Sequence, residues 1–201
     1  MLVKIESRAV SSDHLFFFGT SAELFKILPV AKALGPAAIT LVYTGQQKII
    51  GFDELLHGFS SISIFDRPLE IAASGANLFR WILLAPIKIS QLLSGLRKMQ
   101  QSKPSAVVHG DTLTAFICSV LAKIHGQKIF HVEAGLRSNR VLHPFPEELI
   151  RRAISRIADV HFAPGSSPAK NLVANKGEVL NTQFNTSTEA AFTVVEVPTA
   201  P

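Results

Sequence analysis

Two carboxylates, Asp111 and Glu133, each come directly after a short apolar run, in His109-Gly110-Asp111-Thr112 and His131-Val132-Glu133-Ala134-Gly135-Leu136-Arg137. Runs apolar on both faces read as strands of a parallel sheet covered by helices, and such sheets bind ligands beyond the carboxyl ends of their strands. Two acidic side chains projecting into one crevice suit proton transfer. Like charges held close raise one pKa and leave the other ionised, so one site can hold both an acid and a base. Asp111 has a second reading, as the cap of the helix that follows it.

Two further stretches offer chemistry. In Phe18-Gly19-Thr20-Ser21-Ala22-Glu23, Gly19 and Thr20 open a helix whose free N–H groups could meet a phosphate, with Lys26 one to two turns on. The plainer reading is a tight turn and a solvated lysine. In His143-Pro144-Phe145-Pro146-Glu147-Glu148, paired prolines stiffen the approach and the acids open a helix, where glutamate is ordinarily dipole decoration. His125, His131 and His143 lie in different contexts and His109 sits within a strand, so no metal site is expected. GxSxG, GxxxxGK[ST] and a complete GxGxxG are all missing, which removes the serine-hydrolase and P-loop readings.

The elements that must position these residues repeat as strand, turn, helix. His14–Phe18 is a strand followed by a helical pattern to Leu34; AITLVYTG is a second strand, Gln46 to His57 a helix, and Ser61 to Phe65 a third strand. Pro68 to Gln100 reads as mostly helical, with Gly75 and Pro86 as breaks or kinks. SAVVHGDT and KIFHVEAG are strands separated by a helix that Gly126 closes. After a loop from Gly135 to Pro146 come a helix from Glu147 to Ala158, the strand DVHFAP and a helix from Pro168 to Asn175. The expected fold class is α/β, a Rossmann-like parallel sheet with helices on both faces. It should occupy residues 1–175, with 176–201 an irregular tail rich in Thr, Ala and Pro.

Composition narrows the function. The 201 residues are 47% hydrophobic and 17% charged, with a mean hydropathy of +0.29, enough for one large core and far from disorder. The net charge of +5 suits phosphorylated metabolites; its bases form no arginine stripe interleaved with aromatics, so nucleic acid is not expected. Leu78 to Leu93 is interrupted by Arg80, Pro86 and Lys88, too broken for a membrane span. The single cysteine, Cys118, sits in an apolar run, and MLVKIESRAV shows no export signal; both suit the cytoplasm.

Taken in order, FGT with Glu23 and Lys26, HGDT, HVEAGLRS, PFPEE with Arg151-Arg152, and HFAP resemble the motifs of the bacterial non-hydrolysing UDP-N-acetylglucosamine 2-epimerases. The resemblance runs from Phe18 to Lys170 and is strongest from Val108 to Pro164. It implies two Rossmann-like domains in the glycosyltransferase-B arrangement, the sugar nucleotide between them, with this chain as the N-terminal one. The implied reaction interconverts UDP-GlcNAc and UDP-ManNAc through UDP elimination and re-addition, with no metal and no redox cofactor. Asp111, Glu133 and Glu147 take the catalytic-carboxylate positions. Lys26 takes that of the substrate-proximal lysine, and Gly19, Thr20, His109 and Arg137 are the substrate-binding residues.

Two departures stand out. Ser21 replaces the arginine of the family's usual FGTRPE, removing a forked cation suited to oxyanions. The family's C-terminal domain, which supplies most uridine and diphosphate contacts and a catalytic histidine, has no counterpart in these residues. The implied partners are a UDP-N-acetylhexosamine, a separately encoded C-terminal half and a second copy in a homodimer. The alternatives are a non-catalytic UDP-sugar-binding or remnant domain, and half of a glycosyltransferase, against which the carboxylate motifs argue.

Overall fold

The computed structural model describes residues 13–65, 75–99, 103–138 and 143–182. Within them the chain runs β1 (His14–Phe18), α1 (Ser21–Leu34), β2 (Ile39–Tyr43), α2 (Phe52–Leu55), β3 (Ser60–Ser63), α3 (Gly75–Met99) and β4 (Ser105–His109). It continues through α4 (Leu113–Ile124), β5 (Ile129–Val132), α5 (Glu147–Ile157), β6 (Val160–Ala163), α6 (Ser166–Lys170) and β7 (Glu178–Asn181). All strand pairs are parallel, in the order β3-β2-β1-β4-β5-β6-β7. This is the expected Rossmann-like α/β sheet.

Alternation along the central strands sorts the core into two layers, because successive strand side chains point to opposite faces. Phe16 and Phe18 of β1, Val107 of β4 and Phe130 of β5 pack with Leu24, Ile27 and Leu28 of α1. Leu15, Phe17, Ala106, Val108 and Ile129 pack instead with Trp81, Ile89 and Leu92 of α3, with Cys118 of α4 and with Ile154 of α5. The same alternation turns His109, last residue of β4, toward the α1 layer.

Several boundaries differ from the sequence reading. Pro86 does not break α3, which runs 25 residues through it. A helix-interior proline costs about 3 kcal/mol. Trp81, Ala85, Ile89, Leu92, Leu93 and Leu96 are buried on either side of it, and each large apolar side chain gives back roughly 1.5–3 kcal/mol. Gly75 is the first residue of this helix rather than a kink within it. The helix expected from Gln46 to His57 shrinks to Phe52–Leu55. Gly51 stands at φ 68°, and Gln46 and Gln47 accept side-chain hydrogen bonds from Thr114 and Tyr43 that hold the segment as a loop.

The last helix is Ser166–Lys170, ahead of its expected place. β7 lies in the stretch expected to be tail; its EVLN is exposed or half-buried along its length, an edge-strand pattern without the apolar run that signals a central strand. The rest of that tail, 183–201, lies outside the described residues, as do 66–74 of the middle segment.

Candidate active site

The sheet changes direction of growth between β1 and β4: β2 and β3 lie to one side, β5 to β7 to the other. Crevices at such a switch point, at the carboxyl edge, are where α/β sheets bind ligands. A pocket of about 290 Å³ lies there, lined by Thr20, Ala22, Glu23 and Lys26 of the β1–α1 segment, by 109–112, by Glu133 and Leu136, and by Arg151 of α5.

Glu133 follows β5 and is held in the left-handed region at φ 56°, a conformation L side chains seldom adopt. Its carboxylate is nearly buried, accepting from Lys26 Nζ at 2.8 Å, with His109 Nε2 at 3.2 Å from the same oxygen. Lys26 is therefore paired, not freely solvated. Gly110, at φ 66°, turns the chain after β4. His131 Nε2 is 2.7 Å from the Gly110 carbonyl. Burial pushes His131 down to about 3, so the ring is neutral and donates this hydrogen bond.

Asp111 does not cap the next helix. Thr112 does, its hydroxyl accepting from Ala115 N at 3.0 Å, while Asp111 pairs with Arg151 Nη2. Arg151 Nη1 reaches Glu148 Oε2 at 2.8 Å, and Arg152 Nε reaches the other oxygen of Glu148 at 2.7 Å. Glu148 also accepts from Ser138 N at 3.1 Å. Burial alone would raise its pKa, but the Ser138 N–H and the Arg152 and Arg151 guanidinium groups outweigh that and hold it below the usual carboxylate value.

The opening turn of α1 is occupied from within. Glu23 Oε2 accepts from Gly19 N at 2.9 Å and Thr20 N at 3.0 Å, and Thr20 in return accepts from Glu23 N, a complete capping box. The other Glu23 oxygen accepts from Thr112 Oγ1 at 2.5 Å, joining the N-terminal turns of α1 and α4. Burial raises the Glu23 pKa, with the Thr112, Gly19 and Thr20 donors pulling against it. The N–H groups of Gly19 and Thr20, which precede the helix, are thus both taken by a resident carboxylate. Gly19 is a packing residue, since a Cβ there would stand 2.2 Å from Thr114 Oγ1 and 2.7 Å from Thr44 Oγ1.

Of the residues singled out in the sequence, Thr20, Lys26, His109, Asp111 and Glu133 line one pocket. Three do not line it. Gly19 packs beneath it. Arg137 folds back to the Leu136 carbonyl at 2.9 Å and Ser155 Oγ at 3.1 Å. Glu147 opens α5 and leaves Oε2 buried without a hydrogen-bond partner among the described residues. The sequence places Glu23 and Arg151 within its motifs but gives them no role. The signal for Glu23 was present, a Thr three residues ahead of a Glu at a helix start; for Arg151 it was an arginine three residues beyond Glu148, on the same helix face.

The chain is an α/β, Rossmann-like parallel sheet with an open, charge-paired crevice at its switch point. In agreement, MurG of Acinetobacter baumannii shares this fold at 16% identity and a TM-score of 0.51, over 84% of this chain and 44% of that one. Nearer likenesses narrow the class. The family model described as UDP-N-acetylglucosamine 2-epimerase matches residues 87–186. Curated relatives of that name from Campylobacter jejuni and Bacillus subtilis are 33% and 34% identical, over 90% and 89% of this chain but 47% and 46% of their own lengths. The crystal structure of the Neisseria meningitidis UDP-GlcNAc 2-epimerase bound to UDP-GlcNAc aligns with a TM-score of 0.64 at 29% identity, over 86% of this chain and 46% of that one. The chain belongs to the UDP-N-acetylglucosamine 2-epimerase family, an isomerase family. It spans about half the length of the curated relatives it matches.

Proposed function

We propose that this pocket carries the sugar-side chemistry of a UDP-N-acetylglucosamine 2-epimerase. A carboxylate removes the C2 proton of UDP-GlcNAc while the C1–O bond breaks and UDP leaves with its electron pair, giving 2-acetamidoglucal. UDP then adds back at C1 and a carboxylic acid returns a proton to C2 from the other face, giving UDP-ManNAc. The observation that carries this reading is the meeting of Asp111 and Glu133 in one pocket, each against a cation, Arg151 and Lys26. Carboxylates supply and accept the proton; the cations hold them in place and counter the charge on departing diphosphate.

Glu147, which opens α5 outside the pocket lining, remains the third carboxylate of the proposal on its place in the motif. The reaction needs no metal or redox cofactor. The relatives, of which this chain spans about half, support a second domain that closes the cleft. A second copy of the chain is the other proposed partner, and the cytoplasm, which suits a single buried thiol, the proposed location.

The test is NMR of the purified chain, alone and with a C-terminal half, with UDP-GlcNAc in deuterated water, following UDP-ManNAc and deuterium at C2. Incorporation that disappears in Glu133→Gln supports the reading. Stoichiometric UDP-sugar binding with no exchange, even with the second half present, would replace it with a non-catalytic binding module.

A further inference from the structure

Arg151 lies between two carboxylates of different standing. Asp111 sits on the turn after β4, is partly exposed, and gives the guanidinium its Nη2 partner. Glu148 is fully buried on α5 and is not itself a lining residue of the pocket, yet its two oxygens gather Arg151 Nη1, Arg152 Nε and the Ser138 N–H. Ser138 belongs to the segment that leaves Glu133, five residues earlier.

A buried charge pair is weakly screened and cannot trade its partner for water, whereas a partly exposed carboxylate can. A helix side chain with both oxygens engaged also has little rotamer freedom left, while Asp111 follows a glycine in the left-handed region. Of the two partners, Glu148 therefore sets where the guanidinium points, and Asp111 is placed by it.

We propose that Glu148 is the positioning residue of this pocket: it aims Arg151 across Asp111 and ties α5 to the segment leaving Glu133, so the two pocket carboxylates keep their spacing. The effect on turnover rests on the epimerase reading; the orientation of Arg151 does not.

Two measurements separate these. In the chain labelled with 15N-arginine, a guanidinium clamped at both Nη atoms rotates slowly about Nε–Cζ and gives resolved Nη signals at low temperature, unlike exposed Arg156. We expect resolved signals for Arg151 in the parent chain and in Asp111→Asn, and one averaged signal in Glu148→Gln. Glu148→Asp, which keeps the buried charge but shortens its reach, gives the same averaging if the glutamine variant does not fold. Averaging in Asp111→Asn, or resolved signals in the Glu148 variants, overturns the proposal. In C2 exchange, Glu148→Asp should lower kcat about 10- to 100-fold, as a misplacement of about 1 Å does, with KM within about twofold. A matching rise in KM with kcat intact overturns the catalytic consequence. Absence of exchange in the parent chain with the second half present would instead sink the epimerase reading and leave the arginine signals to decide the positioning role.

Discussion

Burial disfavours a second proton on the neutral His131 ring, and that shapes the acid stability of the fold. Burial holds its folded pKa at about 3, below the ordinary 6.5. As pH falls the unfolded chain takes up this proton first, so stability fully present above pH 6.5 is lost between there and about 3. The loss approaches about 1.4 kcal/mol per pH unit inside that window. Glu23 acts in the opposite sense: its raised pKa contributes stability below the ordinary carboxylate value that disappears as pH rises through the folded one. Comparing the parent chain with His131→Gln, whose amide can still donate to Gly110, isolates the histidine. Urea unfolding at pH 5 and 7.5 should show a difference about 2 kcal/mol smaller in the variant; equal differences would mean that His131 is not neutral in the folded state. At the end of the same strand, the left-handed backbone of Glu133 costs about 1 kcal/mol.

Among the elements, the segment after β5 carries the tightest steric demand. Gly135 stands at φ 81°, and a Cβ there would lie 2.2 Å from the Pro168 carbonyl oxygen and 2.8 Å from Leu172 Cδ1. Gly135→Ala should therefore cost about 3 kcal/mol or more, read as a lowered urea midpoint at unchanged slope. Because Gly135 lies two residues from Glu133, the same variant should weaken UDP-sugar binding. The chemistry-bearing strand ends were legible because β4 and β5 are apolar on both faces and stop at charged residues. The pairing among those residues was not. Nothing local tells that Glu148, rather than its neighbour Glu147, turns into the protein, or that Arg137 folds away from the crevice while Arg151 points into it; both depend on how α5 rolls against α4. β7 escaped notice because a sheet edge needs no apolar run, and α3 was read as interrupted because burial on both sides of a proline is a tertiary effect.

At the scale of the whole molecule, no helix among the described residues is long and apolar enough to cross a membrane. Yet α3 leaves Phe79, Ile82, Leu83 and Ile87 exposed along one side of its first half. An apolar row of this kind marks an interaction face, and a second copy can cover it with the same row across a twofold axis, which no other partner does without a matching surface of its own. Sedimentation equilibrium should find a dimer that Leu83→Lys with Ile87→Lys converts to monomer without loss of helix content; a parent chain monomeric at every concentration counts against a homodimer. The parallel sense of the sheet follows from the strand–helix rhythm, whereas its order does not: β3 and β4 are joined through α3 yet stand on either side of β2 and β1.

The carboxylate of Glu23 has a consequence for inhibitor chemistry. The Gly19 and Thr20 N–H groups ahead of α1 already hold the Glu23 carboxyl, so a phosphonate or sulfonate directed at them meets a filled position. Compounds that exploit this crevice should be uncharged polyols or amides at the end that rests on the Gly19–Thr20 turn, with any acidic group carried toward Lys26 and Arg151.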